Sequence, residues 1–154
     1  MCDQTPFNYE QALKKIKDKF HFDFIALALV QSAELRYVLK WEHVLGNKSD
    51  RYRRIVLQSG KGIAGNVFKT GKPFLVENVE REIGKTDLFN YPILGAESLT
   101  SFGAIPLYKE NRVKGVLLVA FRDDQEVTPD LFEQFKNEAI PTFSPYYHLE
   151  MVEE

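Results

Sequence analysis

Glycines 60, 62 and 65 punctuate the run Ser59-Gly60-Lys61-Gly62-Ile63-Ala64-Gly65, between a segment that reads as a strand and one that reads as a short helix. Glycines placed there let the backbone turn its amides toward a ligand. The first amides of a helix have no intrahelical acceptor and lie at the positive end of its dipole. Anion binding is the chemistry this offers; the alternative is a tight turn that serves packing alone. As a string, G-x-G-x-x-G is also the dinucleotide fingerprint, but that fingerprint needs a full crossover helix within repeated βαβ units. Here Thr70-Gly71-Lys72-Pro73 stops the helix after about two turns. Trp41, the one tryptophan, lies on the apolar side of an alternating strand pattern, at the expected end of that strand near a loop. It is either a core ring or a ligand contact. In both roles its indole N–H requires an acceptor, because a buried unpaired donor costs about 1–3 kcal/mol.

Other chemistry-bearing residues are sparse. His21, His43 and His148 are not spaced as metal ligands are. No Ser–His–Asp set is readable from chain order, and no G-x-S-x-G elbow is present. Cys2 is the sole cysteine, which excludes an internal disulfide and a multi-thiolate metal site, and no neighbour activates its thiol. Arg51-Tyr52-Arg53-Arg54 either steers an anion or partner or forms a solvated loop edge. Phe143, Tyr146, Tyr147, Leu149 and Met151 lie in a tail broken by Pro141 and Pro145. They either close over the core or form an interface, and the interface is the expectation.

The elements that must position these residues follow from periodicity. Tyr9, Ala12, Leu13, Ile16 and Phe20 recur at the helical period, with Lys14, Lys15, Lys17 and Asp18 on the wet face. Asn8 with Gln11 resembles a capping box, and Thr5-Pro6 is an alternative cap. Residues 22–30 form an apolar run that predicts a strand buried on both faces. Next, Leu35, Tyr37, Leu39 and Trp41 alternate with Arg36, Val38, Lys40 and Glu42, which predicts a hairpin partner joined through residues 31–34. A loop is expected over 43–53, a strand over 55–58, another over 74–79, and irregular chain over 80–99. Strands over 101–108 and 113–122 flank a turn at 109–112. Thr128-Pro129-Asp130 starts a helix whose buried stripe is Leu131, Phe132, Phe135 and Ala139, and which Pro141 and Pro145 kink or break. This mixed order with antiparallel hairpins predicts an α+β fold, a single domain over 1–154 with a Pro-containing tail from about residue 141.

Composition narrows the partners. The 154 residues are 44% hydrophobic and 27% charged, with a formal net charge of −2. That balance argues against nucleic-acid binding, which needs a basic excess. The longest apolar runs, 24–30 and 116–121, fall far short of the roughly 20 residues that span a bilayer. The segment Met1-Cys2-Asp3-Gln4-Thr5-Pro6 has neither a basic nor an apolar stretch of the secretory kind, so a cytoplasmic location is expected.

The run Gln58-Ser59-Gly60-Lys61-Gly62-Ile63-Ala64-Gly65-Asn66-Val67-Phe68-Lys69-Thr70-Gly71-Lys72-Pro73 resembles the signature stretch of GAF domains. Ser101-Phe102-Gly103-Ala104-Ile105-Pro106-Leu107 and Gly115-Val116-Leu117-Leu118-Val119 resemble that fold's last two strands, and the likeness extends from about Tyr9 to Ala139. It implies a GAF-like central antiparallel sheet, with N- and C-terminal helices packed on one face and a ligand pocket on the other. Free methionine sulfoxide reductases of this fold use several cysteines, and phytochrome-type members attach a bilin to a domain cysteine. Cyclic-nucleotide members carry an Asn-Lys-x-Phe-Asp-Glu set that does not occur here.

Within the family the chain is most similar to stand-alone nitrate receptors that serve an oxygen-sensing histidine kinase of nitrate respiration. In those receptors nitrate sits between the short helix's first amides, an indole from an early strand and a Tyr-Pro-Ile segment. The matching positions here are Ile63 and Ala64, Trp41, and Tyr91, Pro92 and Ile93. The resemblance therefore implies a nitrate sensor without catalytic activity or cofactor, with a two-component sensor histidine kinase as partner; the interface expected of the apolar tail would serve a homodimer. The alternatives are a cyclic-nucleotide or haem ligand, or a divergent free methionine sulfoxide reductase using Cys2.

Nitrate suits such a site. It is a planar, weakly hydrated monoanion that needs in-plane donors and tolerates apolar walls. The amides of Ile63, Ala64 and Ile93 and the Trp41 indole could supply those donors; Pro92 has no N–H and shapes the turn. A site without a contacting Lys or Arg disfavours phosphate and sulfate, which need charge compensation to leave water. Hydrogen bonds to a charged group contribute roughly 1.5–3 kcal/mol each. Three or four of them, less desolvation and ordering, predict a Kd on the order of micromolar to millimolar.

Overall fold

The computed structural model describes residues 7–32 and 37–146. Helix α1 (Tyr9–Phe20) begins where the Asn8 side chain accepts a hydrogen bond from the Gln11 N–H, and it buries Ala12, Leu13 and Ile16. Strands β1 (Phe24–Ser32) and β2 (Tyr37–Leu45) pair antiparallel. Gln31 and Ser32, expected in the link, extend β1 instead. A 3-10 turn (Arg51–Arg54) then leads into β3 (Val56–Gln58), helix α2 (Gly62–Thr70) and β4 (Phe74–Val76). Helix α3 (Val79–Glu82), a 3-10 turn (Leu88–Asn90) and helix α4 (Pro92–Glu97) precede the long hairpin of β5 (Ser101–Lys109) and β6 (Arg112–Phe121). Helix α5 (Pro129–Thr142) starts at Thr128, whose side chain accepts from the Leu131 N–H.

The strands form one sheet in the order β3-β2-β1-β6-β5-β4, antiparallel throughout. Successive side chains of a strand face opposite sides, and here both sides are covered. Ile25 and Leu27 of β1 join Leu13 and Ile16 of α1, Leu117 and Val119 of β6, and Phe135 and Ala139 of α5 in one cluster. Phe24, Ala26 and Ala28 join Leu39 and Trp41 of β2, Ile63 and Ala64 of α2, and Ile93 and Leu94 of α4 in the other. This is why β1 reads as an unbroken apolar run. The fold is α+β, with the first and last helices on one face and the short helices on the other.

Several expectations need correction. Trp41 is not at a strand end. Strand β2 continues to Leu45, and Trp41 sits mid-strand opposite Ala28, beside a register shift between Leu27 and Ala28. The expected loop over 43–53 is therefore shorter, and the Arg51–Arg54 turn anchors to the core through buried Tyr52. Strand β4 ends at Val76, because the Asn78 side chain accepts from the Arg81 N–H and starts α3 at Val79. Residues 80–99 are not irregular: they hold most of α3, the 3-10 turn and α4. Pro141 does not end α5 at its own position; it lies inside the last turn, and the helix stops at Thr142, before Pro145. Phe143 and Tyr146 are buried in the chain's own core, not on an interface, since Tyr146 Oη and Tyr9 Oη lie 2.8 Å apart in a hydrogen bond. Cys2, Thr5-Pro6, Leu35, Arg36, Tyr147, His148, Leu149 and Met151 lie outside the described residues. Among the described residues, no helix is long and apolar enough to cross a membrane, and no group of His, Cys, Asp and Glu could hold a metal ion.

Candidate functional site

The glycine run is a doubled-back loop set against the start of α2. The Gly60 N–H donates to the Gly65 carbonyl (2.8 Å), the Lys61 N–H to Gln58 (2.9 Å) and the Gly65 N–H to Lys61 (3.0 Å). Gly62 has φ +66°, a backbone state most side chains avoid. At Gly65 a Cβ would stand 2.2 Å from the Gln58 carbonyl oxygen. Gly62 is thus required by its backbone conformation and by the Leu57 side chain, 2.9 Å from where its Cβ would stand, and Gly65 by the passage of backbone against backbone. The helix is nine residues long and ends on Gly71 at φ +69°, as its sequence predicts.

Ile63 and Ala64 occupy the second and third positions of α2 and are buried. Among the described residues, neither amide meets a hydrogen-bond acceptor, as the geometry of a helix start requires. Trp41 is 4% exposed, and its Nε1 is buried without a hydrogen-bond partner among the described residues. Strand β3 pairs with β2 only as far as Lys40. Trp41 therefore lies just past the end of β3, on the stretch of β2 that leads toward the 3-10 turn.

The third part is α4. Tyr91 precedes it, its N–H donating to Leu88 (2.9 Å) and its carbonyl accepting from Leu94 (2.9 Å). Pro92 opens the helix with its fixed φ, and Ile93 follows with an amide that, among the described residues, meets no acceptor. Of the residues singled out by sequence, Trp41, Ile63, Ala64 and Ile93 are brought into one buried cluster. Tyr91 is half-buried against that cluster, its ring edge-on to Phe74 at 6.2 Å. Pro92 is exposed, and its part is to set the turn. Among the described residues, four N–H donors without acceptors thus belong to one apolar cluster. Donors of this kind suit a small anion that tolerates apolar walls.

His21 caps α1 and His43 stacks on Tyr9 (4.7 Å between ring centroids), so neither belongs to this cluster. Arg51, Arg53 and Arg54 are exposed. Sequence reasoning misses a buried ionic group at the end of α4. Glu97 is fully buried, and its Oε1 accepts from Arg122 Nη2 (2.7 Å) and from the Lys48 N–H (2.6 Å). Arg122 Nε also donates to the Glu97 carbonyl (2.8 Å), while the Arg122 N–H donates to Asp23 Oδ2 (2.8 Å). The only trace in the sequence is an arginine directly after an apolar strand.

Comparison with known proteins places the chain. The family model described as GAF domain matches residues 9–137. Among solved structures, a hypothetical protein from S. aureus is 41% identical, with 77% of this chain and 95% of that chain covered and a TM-score of 0.74. Two structures described as mutated NreA protein in the nitrate binding site, from Staphylococcus aureus, are similar as well. One is 40% identical over 78% of this chain and 87% of that chain, with a TM-score of 0.75. The other is 37% identical over 84% and 96%, with a TM-score of 0.76. The search of curated proteins returned no match.

Proposed function

Because the chain belongs to the GAF family, we propose that it is a nitrate sensor that acts by binding and not by catalysis. The observation that carries this reading is the Trp41 indole, a donor sealed from water without an acceptor among the described residues. Leaving it so costs about 1–3 kcal/mol, and an oxyanion that accepts from it removes that cost. The unpaired amides of Ile63, Ala64 and Ile93 give the same oxyanion further in-plane donors. Relatives 37–40% identical whose descriptions name a nitrate binding site support nitrate as that anion.

On this reading the ligand-free protein binds a two-component sensor histidine kinase in the cytoplasm and holds its autophosphorylation down. Nitrate draws residues 80–99 closed over the site and relieves the inhibition. The switch requires nitrate to contact the two states differently, and Ile93, on the segment that closes, provides that difference. A homodimer is a further assembly of the same protein.

Titrating nitrate while following Trp41 fluorescence and calorimetric heat tests the ligand. Saturation in the range of roughly micromolar to millimolar is expected, with sulfate and phosphate silent. No response up to about tens of millimolar removes the reading. The partner is tested separately by kinase autophosphorylation, which is expected to be lower with ligand-free protein than with nitrate-loaded protein; equal rates remove the kinase from the account.

A further inference from the structure

We infer that Glu97 is a positioning residue for the anion site, clamping α4 so that the Ile93 amide is held toward the Trp41 indole. The inference rests on the reading of that cluster as the binding site. Helix α4 is six residues long, too short to be stable on its own backbone hydrogen bonds. It ends on Ser98 in the left-handed conformation at φ +56°, a strained stop for a residue with a side chain. What holds its end is Arg122. Nε binds the Glu97 carbonyl, Nη2 binds Glu97 Oε1, and the guanidinium lies over the Phe24 ring at 5.8 Å.

The same carboxylate oxygen accepts from the Lys48 N–H, in the link between β2 and the 3-10 turn that carries Tyr52. A nearby close approach fixes that link from its other side. Gly46, at φ +80°, packs where a Cβ would meet the Asp23 carbonyl oxygen at 2.2 Å, and Asp23 also holds the Arg122 amide. Glu97 therefore ties α4 to the continuation of the very strand that bears Trp41. Ile93 stands four residues before Glu97, one helical turn away, so the clamp and the donor move as one unit. Among the described residues, Glu97 Oε2 has no hydrogen-bond partner. A fully buried carboxylate so sparsely satisfied is a poor means of general stabilisation, but its two bonds through Oε1 favour the closed placement of α4, the one that nitrate selects.

The test combines amide hydrogen exchange of residues 93–97 in ligand-free protein with nitrate affinity by Trp41 fluorescence. Glu97→Ala is expected to exchange about tenfold faster in α4 and to bind nitrate about tenfold more weakly. Glu97→Gln keeps an acceptor for Lys48 and Arg122 and is expected to restore both quantities to within about threefold. A folded Glu97→Ala protein with wild-type exchange in α4 and wild-type affinity overturns the inference, even if its melting temperature falls. Should Glu97→Ala not fold, Arg122→Lys takes its place, keeping the charge but not the two-point grip, with the same expected changes and the same overturning result. If wild-type protein gives no nitrate response, the nitrate reading falls and α4 exchange alone still decides the clamp.

Discussion

A sealed indole N–H is a cost that the ligand-free fold carries at one residue, which makes Trp41 the most informative single substitution. Trp41→Phe keeps an aromatic body in the cluster and deletes the donor. Nitrate affinity by calorimetry should fall by about ten- to a hundredfold, the worth of one hydrogen bond to a charged acceptor. Unchanged affinity would mean that the indole is not a donor to the anion. At this scale the site is partly legible in the chain: alternation puts Trp41 on the buried side, and the glycine run marks Ile63 and Ala64. Pro92 differs, since its fixed φ acts through the turn while the ring itself stands in solvent.

At the scale of the element, the anion nest depends on how α2 begins. Gly65→Ala would press a Cβ against the Gln58 carbonyl, backbone that cannot swing aside. We expect a loss of about 1–3 kcal/mol in thermal or denaturant unfolding, together with weakened nitrate binding in the protein that remains folded. Gly95 of α4 is the matched contrast, exposed and with nothing near the position of its Cβ. Gly95→Ala should stabilise by about 0.5–1 kcal/mol through helix propensity. A destabilised Gly95→Ala protein would contradict this account of α4. The end of α2 at Gly71 is readable because stop signals are local, whereas α3 and α4 have too few residues to display a period.

Across the whole molecule, α1 and α5 close the fold by meeting on one face. Glu138 of α5 receives Lys19 of α1 at 2.7 Å, and that hydrogen bond holds its carboxyl below the ordinary carboxylate range. Burial first, and then the bond to Tyr9, pushes the Tyr146 phenol above its usual value near 10. The signs are opposite. Glu138 contributes stability above the ordinary glutamate pKa that is lost as pH falls through that range. Tyr146 contributes stability below about pH 10 that is lost as pH rises beyond it. Melting temperature against pH should therefore decline at both ends. Glu138→Gln should flatten the acid limb, and Tyr146→Phe the alkaline one; an unaltered limb in either variant refutes the corresponding assignment.

The amino-acid order alone determines α1 with its Asn8 cap, the doubly buried β1, the β5–β6 hairpin, the start of α5 at Thr128 and the glycine-led start of α2. Each is written in the spacing of near neighbours, where periodicity and turn chemistry act. Tertiary structure decides the strand order, the existence of α3 and α4, and the burial of Phe143 and Tyr146. It also decides the meeting of Glu97 with Arg122, 25 residues further along the chain. A helix of one or two turns persists only where packing holds it, and a charge leaves no periodic mark of the partner that folding brings to it.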